Sequence, residues 1–221
     1  MLLVSSLVIL FPLKFVAISD THCLHRNIKL PKGDVLLHAG DISYKGKKSE
    51  VVDFLGWFSK TDFKYKVFIA GNHDFYFEKE GVKEIQSTVP ENVIYLMNSE
   101  IVINGIKIWG SPYTPWFFDW AFNERRGAAI TKHWKLIPDD VDILLTHGPV
   151  QGILDTVVSE EHVGCKNLLQ RVLEVKPKTH VCGHIHESYG SVKRSGIHFI
   201  NASLLNEAYE LMNKPIVFDL K

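Results

Sequence analysis

Five short apolar runs in this chain each stop at side chains able to bind a metal, and that repetition limits both fold and chemistry. The runs are Lys14–Ser19 (KFVAIS), Asp34–Ala39 (DVLLHA), Tyr65–Ala70 (YKVFIA), Asp142–Thr146 (DILLT) and Thr179–Cys182 (THVC). Their length and their Val, Ile, Leu and Phe content mark buried strands. They are followed in turn by Asp20-Thr21-His22, Gly40-Asp41, Gly71-Asn72-His73-Asp74, His147-Gly148-Pro149 and Gly183-His184-Ile185-His186. Glycine beside a ligand lets the backbone turn sharply. In open α/β sheets ligands bind beyond the carboxyl ends of the strands, so the five motifs are expected to converge there.

Helical spacing separates the strands. Ser49–Ser59 carries Val51, Val52, Leu55 and Phe58 after a Ser cap, Cys165–Val175 carries Leu168, Leu169, Val172 and Val175, and Glu124–Trp134 fits a further helix. Strand–helix alternation implies βαβ units and a largely parallel sheet. Val93–Met97, Glu100–Ile103, Ile106–Trp109, Ile197–Ile200 and Ile216–Asp219 read as strands without long helices between them, suggesting a second sheet. The predicted fold class is α/β: two mixed sheets packed face to face with helices outside, an αββα sandwich of four layers.

At 221 residues without a linker, one domain is expected over residues 14–221, preceded by an apolar extension at 1–13. That extension is shorter than the about 20 residues needed to cross a bilayer, and no Lys or Arg precedes it. An extra strand or an extended start is favoured over export, and no stable membrane association is expected. Cys23, Cys165 and Cys182 form no C-x-x-C pair and are odd in number, which favours a reducing compartment and a cytoplasmic location. The 25 basic side chains balance 25 acidic ones, which argues against a long nucleic acid as the main partner, since such a partner normally selects a basic face.

The donors at the strand ends are Asp, His, Asp, Asn, His, His and His, with no thiolate. Mixed oxygen and imidazole donors suit Mn²⁺, Fe or Zn²⁺. Seven ligands exceed the four or so that one such ion takes, so two divalent ions sharing a carboxylate bridge are implied. Such a pair neutralises phosphate oxygens and generates hydroxide near neutral pH. Any one of these motifs alone would be an ordinary turn, since Gly, Asn and Asp supply turn geometry. Coincidence at five strand ends is a different matter. His38, His180, His198, His133 and His162, in strands, helices or loops away from the motifs, are read as structural, and His25 as a candidate substrate contact.

The series Asp-x-His, Gly-Asp, Gly-Asn-His-Asp, His-Gly-Pro and Gly-His-x-His resembles the calcineurin-like metallophosphoesterase superfamily, with all five blocks in order. The stretches DTH, GDVLLHAGD, IAGNHDFYF, PYTPWF, GHIHESYG and INAS are most similar to its metallophosphoesterase-domain-containing branch, and the likeness covers roughly residues 14–220. The resemblance implies one ion held by Asp20, His22 and His186, a second by Asn72, His147 and His184, and Asp41 bridging them. It leaves His73 free to protonate the leaving oxygen, with Asp74 orienting the His73 imidazole. Mn²⁺ is the leading metal. The reaction implied is hydrolysis of small phosphodiesters, with cyclic nucleotides first because the branch acts on them.

Protein phosphatases of this superfamily extend the second block as Gly-Asp-x-x-Asp-Arg-Gly, whereas here it reads Gly40-Asp41-Ile42-Ser43-Tyr44-Lys45-Gly46. Losing that Arg tilts the reading toward diesters, because a dianionic monoester calls for bidentate recognition. Ser111–Trp120 (SPYTPWFFDW) holds two prolines and five aromatics and cannot be a regular helix. Trp116 could stack a base there or merely seal the sandwich edge, with Asn72, His73 and Arg126 as further substrate contacts. Asn201-Ala202-Ser203 is read as a turn near the site rather than a glycosylation acceptor. The rival readings are a phosphomonoesterase or nuclease of the same superfamily and, outside enzymes, a scaffold that keeps the fold after its site has decayed.

Overall fold

The structure, a computed structural model, describes residues 12–221. The reading of the apolar start therefore lies outside the described residues, apart from its last two members, Pro12 and Leu13, the second of which opens the first strand. Strands β1 (Leu13–Ile18), β2 (Val35–His38), β3 (Tyr65–Phe68) and β4 (Ile94–Tyr95) pair in parallel. Helix α1 (Lys48–Phe58) lies between β2 and β3, and α2 (Phe75–Lys79) and α3 (Val82–Thr88) lie between β3 and β4. Strands β5 (Ser99–Ile103) and β6 (Ile106–Ser111) form a hairpin around Asn104-Gly105, both at positive φ as a two-residue primed turn demands. The short ribbon β7 (Thr114–Pro115) and β8 (Asn123–Glu124) holds the base of the aromatic loop and leads into α4 (Ala128–Trp134). Strand β9 (Ile143–Thr146), helix α5 (Lys166–Val175) and strand β10 (Thr179–Cys182) form a βαβ unit parallel to β6. Then β11 (Gly190–Arg194) and β12 (Ile197–Asn201) complete the second sheet, in the order β11-β12-β10-β9-β6-β5. Finally β13 (Ile216–Leu220) returns antiparallel to β1 and edges the first sheet.

Alternation along the strands builds the layers. Phe15, Ala17, Leu37 and Val67 face Ile108, Ile143, Leu145 and Val181 between the sheets. Val16, Ile18, Leu36 and Phe68 point the other way onto Val51, Phe54, Leu55 and Phe58. On the opposite side Trp109, Leu144 and Phe199 pack on Ile130, Trp134, Leu168 and Val172. The predicted αββα sandwich is the observed one.

The distribution of strands differs from the expectation. The five ligand-bearing runs do not share one sheet: three belong to the first, while β9 and β10 belong to the second. Val93–Met97 shrinks to β4 on the edge of the first sheet, and the last strand closes that sheet's other edge. Periodicity records which residues are buried, not which neighbour a strand chooses. The two sheets are joined at the ligand-bearing end, where Ser19 and Ser203 bridge and Leu204 N donates to Ser19 O at 3.0 Å. Ser49 is not the cap of α1; Lys47 stands at that position, and Glu50 reaches back to the amides of Lys45 and Lys47 at 2.9 and 3.1 Å. Helix α4 starts only at Ala128 because Gly127 sits at φ 87°. Among the described residues no helix is long and apolar enough to cross a membrane.

Candidate metal centre

Side chains from four strand ends and the loop after β10 meet in one buried cradle. Three groups of ligand atoms lie within 4.8 Å of one another: Asp20, His22 and His186; Asp41, His147 and His184; and His22, Asp41 and His73. Asp41 lies between the halves, its Oδ2 3.7 Å from His22 Nε2 and 3.3 Å from His147 Nε2. His186 Nε2 is 3.6 Å from Asp20 Oδ1, and Asn72 Oδ1 is 2.8 Å from His147 Nε2.

Backbone carbonyls orient the imidazoles. His22 Nδ1 donates to Ser43 O at 3.1 Å, His147 Nδ1 to Ala39 O at 2.9 Å, and His186 Nδ1 to Asn206 O at 2.9 Å. Each ring therefore turns Nε2 into the cradle, the outer-shell arrangement that metal-binding histidines use. The carboxylates are held the same way. Asp20 accepts from Ser203 Oγ at 2.7 Å and from His184 N at 3.0 and 3.1 Å, while Asp41 Oδ1 accepts from His73 N at 2.8 Å. Glycine is required where these loops touch: a Cβ on Gly71 would collide with Asp41, and one on Gly183 with Ser19 and Asp20.

The electrostatics favour cations. Burial opposes charge on Asp20, yet the hydrogen bond and positive charge of His186 hold its carboxyl well below the usual range. Asp41 is held low against burial by His147, His73 and His22. Burial would depress His147 and His186, but Asp41 lifts the first to about 9 and Asp20 the second to about 9. Burial takes His22 down to about 4 and His184 to about 3, so these two present neutral lone pairs. His22 Nε2 is buried without a hydrogen-bond partner. That orphaned atom, the clamped Nε2 directions and a set of carboxylate, amide and imidazole donors all fit divalent cations of borderline hardness.

Comparison with known proteins decides the family. The family described as calcineurin-like phosphoesterase matches residues 13–188. The chain belongs to the calcineurin-like phosphoesterases. It is 42% identical over 230 residues to the human protein named metallophosphoesterase domain-containing protein 1, covering 94% of this chain and 71% of that one. The Caenorhabditis elegans UPF0046 protein K07C11.7 is 35% identical over 218 residues, covering 93% and 74%. Among solved structures, phosphopantetheinyl hydrolase from Mycobacterium tuberculosis shares the fold with a TM-score of 0.64 at 14% identity, over 89% of this chain and 90% of that one. Membership makes the protein a phosphoester hydrolase of a family that uses divalent metals.

In this calcineurin-like phosphoesterase the residues expected at the site divide into those at the cradle and those elsewhere. Asp20, His22, Asp41, Asn72, His147, His184 and His186 come together, with His73 beside them. His73 Nδ1 donates to Tyr44 O at 2.8 Å, which fixes the tautomer and leaves Nε2 free, and its ring stacks on Trp120 with centroids 4.3 Å apart. Asp74 does not orient that imidazole. Its carboxylate points into the loops and accepts from Ile42 N, Ser43 N, Ser43 Oγ and Gly71 N at 2.6–3.2 Å. Burial and the neighbouring Asp41 raise it to about 6, against the pull of those donors. Its tie to two adjacent ligand loops makes it a brace, and the orienting partner of His73 is a backbone carbonyl with no sequence signature.

His25 is not a substrate contact. It is fully buried between the short 3₁₀ turn His25–Asn27 and α1, its ring 5.1 Å from Trp57 and 5.5 Å from Phe54. Arg126 is also occupied elsewhere, donating to Val163 O at 2.6 Å and Gly164 O at 2.8 Å. Trp116 is half exposed and lines a neighbouring cavity, whereas Trp120 and Phe117 line the cleft over the cradle. The other histidines are structural: His38 bonds Thr21 Oγ1 and the Gly40 amide, His180 bonds Thr146 Oγ1, His133 stacks on Tyr113, and His162 pairs with Asp155. Sequence reasoning missed Tyr209, whose ring caps His22 and His186 at 4.9 and 5.3 Å. The available signal was Asn206, whose side chain accepts from the amides of Ala208 and Glu210 and turns the loop back over the site. Asn201-Ala202-Ser203 lies beside the site but is extended rather than a turn: Asn201 ends β12 and donates its Nδ2 to Ile185 O at 2.8 Å, while Ser203 bridges Ser19 and bonds Asp20.

Proposed function

We propose that this protein is a dinuclear metal-dependent phosphodiesterase acting on small, nucleotide-like diesters, with cyclic nucleotides as the leading class. One observation carries the reading: Asp41 lies between the Asp20–His22–His186 group and His147, its Oδ2 3.7 Å from His22 Nε2 and 3.3 Å from His147 Nε2, at the floor of a cleft that His73 also lines. Asp20, His22, His186 and Asp41 would hold one cation, and Asp41, Asn72, His147 and His184 the other. When bound, two such ions supply charge neutralisation at the phosphate oxygens and activation of water.

The chain's own residues supply the rest. His73, aimed by Tyr44 O and steadied by Trp120, presents Nε2 as proton donor to the departing oxygen. The Asn72 side chain lies in the cleft within reach of a phosphate oxygen. Diesters are favoured over monoesters because the cleft is lined by Asp41, Asn72, Thr114, Asn123, histidines and aromatics, with no Lys or Arg among the described residues. A dianion would gain from a guanidinium fork there; a singly charged diester does not need one.

Hydrolysis of bis-p-nitrophenyl phosphate and p-nitrophenyl phosphate by the Mn²⁺-loaded protein tests this. Faster turnover of the diester is expected. Preference for the monoester would replace the reading with a phosphomonoesterase, and failure to retain metal on elemental analysis would favour a scaffold.

A further inference from the structure

The cleft over the cradle is small, about 210 Å³, below the roughly 300 Å³ at which ordinary ligand pockets begin. A phosphate fits there, but a nucleotide-sized ester substituent has little room beside it. Beside it, sharing Pro115, Phe117 and His184, lies a second chamber of about 520 Å³. We infer that this chamber seats the ester substituent that stays on phosphorus, and that it selects a largely apolar, neutral or cationic group. The inference rests on the diester reading, because only a diester keeps a substituent after cleavage.

Placement gives the first argument. His73 and Trp120 line the cleft and not the chamber, which opens at the His184 end. The departing oxygen belongs beside His73, so the group reaching past His184 is the one retained.

The lining is also chemically selective. Trp116, Pro149, Val157 and Ile185 give the chamber apolar walls. Its one arginine, Arg126, is committed to the carbonyls of Val163 and Gly164. The carboxylates of Glu161 and Glu187 also line it, and they would repel a second phosphate or a carboxylate.

Third, the outer wall is fastened in place. Asp155 Oδ2 accepts from Gly152 N at 2.8 Å and Gly164 N at 3.0 Å, and Ser188 Oγ bonds both the amide and the carbonyl of Thr156 at 2.8 and 2.7 Å. Val157 is therefore presented by a braced loop, not by a free one.

The test is calorimetric binding to the full, Mn²⁺-loaded chain of three product-like probes: methyl phosphate, phenyl phosphate and 4-carboxyphenyl phosphate. Phenyl phosphate should bind about tenfold or more tightly than methyl phosphate, the scale of one buried apolar group. The added carboxylate should reverse much of that gain. Val157→Trp, which fills the chamber, should erase the phenyl advantage, and Glu161→Gln, an exposed change that spares folding, should restore part of the loss with 4-carboxyphenyl phosphate. Equal binding of phenyl and methyl phosphate, or a phenyl advantage that survives Val157→Trp, overturns the inference.

Turnover of phenyl p-nitrophenyl phosphate separates the two claims. In that reaction a water oxygen bonds to phosphorus, the bond to p-nitrophenolate breaks, and the water proton passes to buffer, leaving phenyl phosphate. No turnover of any diester, with the binding differences intact, would sink the diester reading and uphold the chamber's preference.

Discussion

Replacing His73 by Ala isolates proton donation from metal binding. The variant loses the Nδ1 hydrogen bond to Tyr44 O and the stack on Trp120. Those contacts are worth about 1 kcal/mol and about 0.5–1.5 kcal/mol. The total is well inside the ~5–15 kcal/mol that holds a domain together, so the variant should fold. The backbone amide of residue 73 still donates to Asp41 Oδ1, so the shared carboxylate keeps its orientation. Turnover is where the loss falls. A general acid contributes about 10²–10⁴-fold, or roughly 2.7–5.4 kcal/mol of barrier, when the departing oxygen would otherwise leave as an alkoxide. A p-nitrophenolate leaves as a stable anion and needs no proton, so its penalty should fall below about tenfold. The assay compares kcat/KM of the parent and the variant on adenosine 3′,5′-cyclic monophosphate and on bis-p-nitrophenyl phosphate, with metal content measured in parallel. The same loss on both substrates would refute the proton-donor role, and loss of metal would make His73 a ligand, as its place in the group with His22 and Asp41 would then require.

Other outcomes follow from the same geometry. Asp41→Asn should lose one or both ions on elemental analysis, since the Asp41 carboxylate lies between His22 and His147 of the two halves of the cradle; two ions retained would remove the bridge. Loading the parent protein with Mn²⁺ at 100 times its dissociation constant should stabilise it by about 2.7 kcal/mol, roughly 5–10 °C in Tm, and a chelator should reverse the gain. An unchanged Tm would show that no ion is held by the folded state. Asp74→Ala leaves three amides and a hydroxyl without their acceptor and should cost at least about 3 kcal/mol in urea unfolding; normal stability with an altered pH–rate profile would restore its expected role on His73. Burial lowers His180 from 6.5 to about 3, so the unfolded chain binds the extra proton between those values and stability falls as pH drops below 6.5. From pH 7 to pH 5 that is about 2 kcal/mol, which His180→Gln should remove; identical pH slopes in the two proteins would refute it.

The residues of the cradle were legible because each comes packaged with its strand. An apolar run and a donor are neighbours in the chain, with a glycine beside them in four of the five cases, and the fold needs only to point the strand ends in one direction. Sheet membership was not legible, since β9 and β10 are as buried as β1 to β3 and burial does not name a partner. His25 misled for a related reason. It lies three residues past His22, but the short 3₁₀ turn carries it away from the cradle and under Trp57. Trp116 and Trp120 are equally aromatic and four residues apart, and only the ribbon pairing Thr114 with Asn123 decides that Trp120 meets His73.

What the sequence conceals most completely is the support beneath the ligands. The acceptors that aim His22, His73, His147 and His186 are the carbonyls of Ser43, Tyr44, Ala39 and Asn206, and a carbonyl is the same whatever residue carries it. Asp20, His22, Asp41 and His184 all hold positive φ, a conformation costing of order 1 kcal/mol or more at a non-glycine residue. Four such residues in one cluster persist because other bonds determine them: the His184 amide and Ser203 on Asp20, the His73 amide on Asp41, Ser43 O on His22. The strain and its restraints come from different segments of chain, so neither is written in any single motif. Ser203→Ala separates them. It should leave every ligand in place and the fold intact, yet loosen Asp20, weakening metal affinity about 10–100-fold as other outer-shell losses do. Unchanged affinity in a metal titration would show that the His184 amide alone suffices to hold that carboxylate.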